Sequence, residues 1–273
     1  MMDDKKTTDF YETDKQKNDN TITIKSVSDF IEIVCKDNND IIENGELGDR
    51  LLFRGQADKD NKLIPSVGRP GSDGRTIIDE ERNMIEMARY KLPNVFTKDL
   101  EPIELLALLQ HHGIPTRLLD VSENALVGLY FACHDDENTV GKDGEVIIFK
   151  SNDSDIANYP KVNAICASYK SKEPVTNDSD DIMFVYAPSY SLRQNIQRGR
   201  YILFTDSIVD GKKVIEAIPK NHKNIIARLI VPSGIKKQVR RDLRLLGISK
   251  ELLFLDNTDM VCKEIAERFS DER

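Results

Sequence analysis

The sequence predicts an α+β protein: a mixed sheet of about five or six strands packed against helices, with a helical cap at the C-terminal end. Three observations predict it. Strand-like and helix-like runs alternate irregularly, without even βαβ spacing and without the glycine fingerprint of a dinucleotide fold. Asn224–Val231, with its Ile-Ile-Ala-Arg-Leu-Ile-Val run, has the composition of a buried strand. Beyond it the pattern turns helical, at Ile235–Leu246, Ser249–Leu253 and Thr258–Phe269.

Met1–Asn20 is polar and charged, with little that could pack, and reads as a flexible tail. Thr21–Lys25 alternates like a short strand, and Ser26 or Ser28 caps a helix through Phe30, Ile31, Ile33, Val34 and Cys35. Asn38–Asp49 reads as loop. Leu51–Phe53 is a strand that delivers Arg54 to its end, where Gly55 permits close approach by a ligand or a neighbouring backbone. Ala57–Arg75, with Pro65 and Pro70, is long enough for a lid or binding loop, and Ile77–Tyr90 is an amphipathic helix with early acidic residues.

Glu101–Gln110 carries Ile103, Leu105, Leu106, Leu108 and Leu109, too dense a run for a surface strand, so a buried helix is expected. It closes at His112-Gly113, where glycine can turn left-handed and Pro115 forbids continuation. Asp120 or Ser122 would then cap a second helix, whose Leu126, Leu129, Tyr130 and Cys133 fall at spacings of three and four. Gly144–Lys150 reads as a sheet strand and Ser151–Asp180 as a polar excursion over the surface. Ile182–Tyr186 and Tyr201–Thr205 read as strands flanking a turn at Arg193–Gly199. Residues 21–150 and 151–273 are expected to form one globular unit behind the 1–20 tail.

Composition narrows the function classes. At 39% hydrophobic and 32% charged, 273 residues suit one large or two small domains with an ample core. No apolar run of about 18 residues exists, which argues against a membrane span, and the charged N-terminus does not resemble a signal peptide. Cys35, Cys133, Cys166 and Cys262 lack CxxC spacing, which argues against a metal site and fits a reducing, cytoplasmic setting. A net charge of −8 argues against wholesale attraction to nucleic acid, though not against a local basic groove. Arg193, Arg198 and Arg200 form one basic cluster. Lys236, Lys237, Arg240, Arg241 and Arg244 form another, at the spacing of a solvated helix face.

The turn between the two apolar helices concentrates chemistry: Gln110, His111, His112, Thr116, Arg117 and Asp120 within eleven residues. One reading is a structural junction, with Arg117 paired to Asp120 and Thr116 tying up a helix end. The other is a cleft in which Arg117 anchors a phosphate or carboxylate and one histidine moves a proton. Adjacent histidines point to different sides, so one of the two would face such a cleft. Arg54 carries the same pair of readings, as a buried partner of Asp120, Glu80 or Glu81 or as an anion clamp.

Phe53-Arg54-Gly55-Gln56, Ile64-Pro65-Ser66, the run from Gln110 to Asp120, and Leu126-Val127-Gly128-Leu129-Tyr130-Phe131-Ala132 together resemble the FRG domain, a prokaryotic and phage family named for its Phe-Arg-Gly motif. The likeness runs from near Leu51 to near Lys150. Arg193–Tyr201 is similar to an Arg…Gln-x-Gly-aromatic motif found downstream in that family. Val121-Ser122-Glu123 departs from it, standing where such proteins commonly have Trp-Thr or Trp-Ser. The resemblance implies a defence or toxin-like setting. Arg54 on an early strand also resembles the nicotinamide-phosphate anchor of ADP-ribosyltransferases, although their Glu-x-Glu or Gln-x-Glu motif is not evident.

Two functions follow as expectations. One is an enzyme, a transferase or hydrolase acting on a nucleotide or nucleic acid, with NAD as the candidate cofactor or substrate. His111, His112, Asp120 and Gln197 would then do the chemistry, while Arg54, Gln56, Gln110, Thr116, Arg117 and Arg193 bind. The other is a non-catalytic module that senses an anionic small molecule with the same residues.

Overall fold

A computed structural model describes residues 21–44, 50–151, 159–170, 182–188 and 191–254. Its centre is a seven-stranded mixed sheet. In chain order the strands are β1 (Thr21–Thr23), β2 (Arg50–Gln56), β3 (Leu118–Ser122), β4 (Gly144–Ser151), β5 (Ile182–Val185), β6 (Gly199–Phe204) and β9 (Ile225–Val231). Their spatial order is β1-β9-β4-β2-β3-β6-β5, with β1 parallel to β9 and the other pairs antiparallel. A separate hairpin, β7 (Ser207–Val209) with β8 (Lys212–Val214), turns through Asp210 and Gly211, both at positive φ. The α+β class holds, and the sheet is one strand wider than the sequence suggests. Strands from 182–231 pair with strands from 21–151 in this single sheet.

The helices are α1 (Val27–Asn44), α2 (Glu81–Lys91), α3 (Pro102–His111), α4 (Ala125–Ala132), α5 (Tyr159–Cys166), α6 (Leu192–Ile196), α7 (Ser233–Leu245) and α8 (Lys250–Leu253). Direct strand partners share a face and successive residues alternate, which sorts the core into three parts. On one face Phe53, Val146, Ile148 and Leu229 pack beneath α1, α4 and α7. On the same face, across β3, β6 and β5, Leu118, Tyr201, Leu203 and Val185 pack beneath α2, α3 and α5. On the other face Leu52, Ile147, Leu119, Val121 and Ile202 are covered by the 63–78 segment and by Ile215 and Ile218.

Local chemistry explains the elements that frame the site. Helix α3 starts with Pro102, which needs no N–H partner, while the Glu104 carboxylate accepts the Glu101 N–H at 2.9 Å. Ile103, Leu105, Leu106 and Leu109 are completely buried, each worth ~1.5–3 kcal/mol of transfer free energy. The helix closes through Gly113 at φ +82°, with Ile114 N–H bonded to the Leu109 carbonyl at 3.0 Å. Helix α4 sits directly on β2 because glycines allow it: a Cβ on Gly55 would lie 1.9 Å from the Gly128 carbonyl oxygen. The close approach reserved for Gly55 is therefore taken by a neighbouring backbone.

Several sequence-based boundaries change. Leu118–Ser122 is a strand rather than the lead-in to a helix, and α4 is capped by Asn124, whose Oδ1 accepts from Leu126 N–H at 3.0 Å. Apolar Leu118, Leu119 and Val121 alternate between faces there, a period-2 signal obscured by the charged Asp120. Helix α1 extends through Asn38–Asn44, which the sequence assigned to loop. Cys35 is exposed, not packed inward. The Ser151–Asp180 excursion contains α5, with Ile165 and Cys166 buried. In α7, Lys236 and Arg240 leave the solvated face: Lys236 is 1% exposed and donates to the Ala57 carbonyl at 2.7 Å, while Arg240 bonds the Cys133 carbonyl and Asp135. The 1–20 tail and the helix expected at Thr258–Phe269 lie outside the described residues. Among the described residues, no helix is long and apolar enough to cross a membrane.

Candidate functional site

The sheet opens along one seam. β2 and β4 pair continuously from Arg50 to Gln56, whereas β2 and β3 are registered only at Phe53–Ser122 and part beyond it. Phe53, Gly55, Asp120, Ser122, Gly199 and Tyr201 lie on the helical face around this seam and form the floor of a cleft of about 290 Å³. Gln110 and His111 from the end of α3 make one wall, and Val127, Gly128 and Phe131 from α4 another. Arg193, Gln194 and Gln197 from α6 and its following turn complete it.

Arg54 enters this cleft in an unusual way. It leaves β2 on the face opposite Phe53 and Gly55, where its partner on β4 is Ile147. Because the strands part, its guanidinium reaches into the gap and Nη1 donates to the Asp120 main-chain carbonyl at 2.6 Å. Nε is buried with no hydrogen-bond partner among the described residues. Burial pushes its pKa down to about 10, with Asp120 opposing the shift and Arg69 adding to it. The seam therefore holds a half-buried cation whose hydrogen bond goes to a neutral acceptor.

Arg117 is the opposite case. Its side chain is 0% exposed and bonds both oxygens of Glu81, Nε to Oε1 at 2.9 Å and Nη2 to Oε2 at 2.5 Å, while Nη1 bonds Asp206 at 2.9 Å. Burial alone would lower its pKa, but the hydrogen bonds and charges of Glu81 and Asp206 outweigh it and hold the guanidinium above its ordinary value. Lys213 reaches the other Asp206 oxygen at 3.5 Å. Neither Arg117 nor its partners line the cleft. The anion-anchoring role expected for Arg117 is thus replaced by a buried ion cluster tying the start of β3 to α2, and its partners are Glu81 and Asp206, not Asp120.

The remaining candidates divide similarly. Thr116 is buried behind the wall: its hydroxyl donates to Gln110 Oε1 and accepts from Leu118 N–H at 3.2 Å, and its main chain bonds Ser66 and Val67. Gln110 Oε1 being so occupied, its NH₂ is the end left to the cleft. Gln56 is 6% exposed and braces the adjacent loop through Nε2 to the Asn61 carbonyl at 3.1 Å, away from the cleft. Of the two histidines, His111 lines the cleft, and His112 is exposed with its ring edge-on to Phe96. Asp120 and Tyr201 are direct cross-strand partners on β3 and β6. Burial, reinforced by the Asp120 charge, pushes the Tyr201 phenol well above its usual range, so it stays protonated at neutral pH.

Gln197 is fixed at both ends: its main-chain carbonyl accepts from Ser122 Oγ at 2.6 Å, and Nε2 donates to the Leu253 carbonyl at 2.9 Å. The Arg193 guanidinium stacks 4.4 Å over the Phe254 ring, which meets Phe131 edge-on at 6.2 Å. Arg200 is turned away, forked onto Glu123 at 3.1 and 3.2 Å and stacked on Tyr186, so the Arg193/Arg198/Arg200 cluster is not one groove. The cleft residues missed from sequence include Phe131, Ser122, Gln194 and Tyr201. Phe131 was within reach, because it shares a helix face with Val127; the placing of Ser122 and Tyr201 depends on pairing between β3 and β6, and that of Gln194 on the packing of α6. Burial pushes the Cys133 thiol up to about 12, leaving it an inert core group. Among the described residues no group of three His, Cys, Asp or Glu side chains is placed to hold a metal ion.

No curated protein and no solved structure matches the chain. A family model does, over residues 49–140, a span holding β2, α2, α3, β3 and α4 and so the seam, Arg54 and two walls of the cleft. The chain contains an FRG domain.

Proposed function

We propose that the cleft is the active site of an enzyme, a transferase or hydrolase, that binds a nucleotide by its phosphate at Arg54 and uses His111 and Asp120 for acid–base chemistry. One observation carries the reading: Arg54 is a half-buried guanidinium whose hydrogen bond goes to a main-chain carbonyl and whose buried Nε lacks an acceptor among the described residues. A buried N–H left in this state is costly, and an anionic oxygen would offset that cost with a charge-assisted bond. The NH₂ of Gln110 supplies a further donor to the cleft, and Arg193 a second guanidinium in its lining. A cleft of about 290 Å³ suits a small ligand, and the net charge of −8 disfavours a long nucleic acid. NAD belongs to the ligand class this arrangement accepts, and a defence or toxin role is the setting the family resemblance suggests.

The test is a thermal-shift and calorimetric series with inorganic pyrophosphate, ADP, NAD and UDP-glucose on the wild type, Arg54→Lys and His111→Ala, with product analysis by mass spectrometry. At a hundredfold excess over Kd a ligand adds ~2.7 kcal/mol, or roughly 5–10 °C in a chain of this size. The wild type should shift and Arg54→Lys should not, while His111→Ala should bind and turn over at least about 100-fold more slowly. Binding without turnover of any of these ligands would assign the site to sensing. No shift with any of them would overturn the reading.

A further inference from the structure

Of the three cleft glutamines, Gln110 and Gln197 are locked with opposite polarity. Thr116 donates to Gln110 Oε1, which leaves an NH₂ donor for the cleft. Gln197 is reversed. A main-chain carbonyl can only accept, so the Gln197 Nε2 bond to Leu253 at 2.9 Å engages its NH₂ and leaves Oε1, an acceptor, for whatever fills the α6 side. Beside Gln197 lie two planar surfaces. Phe131 lines the cleft and is braced edge-on by Phe254. Arg193, which also lines the cleft, lies over Phe254 with one face of its guanidinium.

We infer that this end of the cleft is a base subsite selecting a nucleotide whose ring carries an exocyclic amine, adenine above all. The ring packs against Phe131 and Arg193, and the amine donates to Gln197 Oε1. The inference rests on the nucleotide reading above and adds its orientation, phosphate toward Arg54 and Gln110, base toward α6. A ring with a carbonyl in place of the amine sets acceptor against acceptor, so hypoxanthine is disfavoured although its shape is nearly the same.

Calorimetry on the full chain with ADP, IDP and inorganic pyrophosphate separates the two ideas. ADP should bind at least about tenfold more tightly than IDP, the value of one neutral hydrogen bond gained or opposed. Gln197→Met should level ADP and IDP while leaving pyrophosphate unchanged, which also shows the cleft to be intact. Phe131→Leu should weaken both nucleotides but not pyrophosphate. Equal binding of ADP and IDP by the wild type, or discrimination that survives in Gln197→Met, would overturn the base subsite and leave the Arg54 phosphate site standing. Failure of pyrophosphate and both nucleotides to bind would remove the phosphate site, and the base subsite with it.

Discussion

Replacing Arg117 with alanine should unfold the protein more readily without touching the cleft. The substitution removes a side chain with 0% exposure and strands two carboxylates, Glu81 at 3% and Asp206 at 0%. Breaking a buried pair by removing one partner costs about 3–5 kcal/mol, chiefly because the orphaned charge stays buried. Lys213 remains 3.5 Å from Asp206 and softens that half of the loss, so most of the penalty falls on Glu81, which loses both of its bonds. At ~2–4 °C per kcal/mol for a chain of this length, the melting temperature should fall by about 10 °C. Urea denaturation followed by circular dichroism measures the loss, and adding Glu81→Gln to the variant should recover part of it. Pyrophosphate affinity, measured well below the variant's transition, should match the wild type. A loss under about 1 kcal/mol, or lost binding with stability intact, would refute the division of labour between Arg117 and Arg54.

Two further outcomes follow from geometry. Gly55→Ala places a Cβ 1.9 Å from the Gly128 oxygen and 2.6 Å from the Ala132 nitrogen, both main-chain atoms, so α4 must lift from β2. A cost of about 3 kcal/mol or more, seen as loss of soluble expression or a collapsed urea midpoint, is expected, and wild-type stability in this variant would contradict the packing. Acid should loosen the contact between α7 and the end of β2. Asp58 is held below the usual carboxylate range first by its hydrogen bond from Lys142, and Asp143 first by the Ser233 N–H and then by Lys59. A depressed folded-state pKa contributes stability above the unfolded value, near 4, and loses it as pH falls through the folded value. Hydrogen exchange in α7 should therefore quicken below about pH 4. Both lysines are largely exposed, so salt should shrink the effect, and an α7 indifferent to acid would count against it.

Much of the frame is visible in the residues. The period of α3 and its closure at Gly113 follow from local rules and form where those rules put them; the strand leading to Arg54 forms too, but it runs on through Gln56 instead of ending at Arg54. What escapes is pairing. β3 was hidden because Asp120 interrupts an apolar run, and its true caps and partners depend on β6, about eighty residues later. The same blindness misplaced Arg117. Guanidinium chemistry suits a ligand and an ion cluster equally, and only the fold brings Glu81 and Asp206, 36 and 89 residues away, to within 2.9 Å.

The seam between β2 and β3 gives the arrangement its logic. A sheet strand normally has both edges satisfied by neighbours, and where the ladder stops, main-chain groups need other partners. Here Arg54 supplies one, bonding the Asp120 carbonyl across the gap. That bond alone could be made by a neutral side chain without the cost of partly burying a charge. A guanidinium is favoured over an amide at this position only if its charge does something that the carbonyl does not require. Its buried Nε, and a pKa pushed down to about 10, are the signs of that unmet demand. Arg54→Gln separates the two roles: it should keep the bond to Asp120 and near-wild-type stability, or exceed it as the partly buried charge disappears, while losing pyrophosphate. If Arg54→Gln instead binds pyrophosphate as the wild type does, Arg54 is a strap across the seam and nothing more.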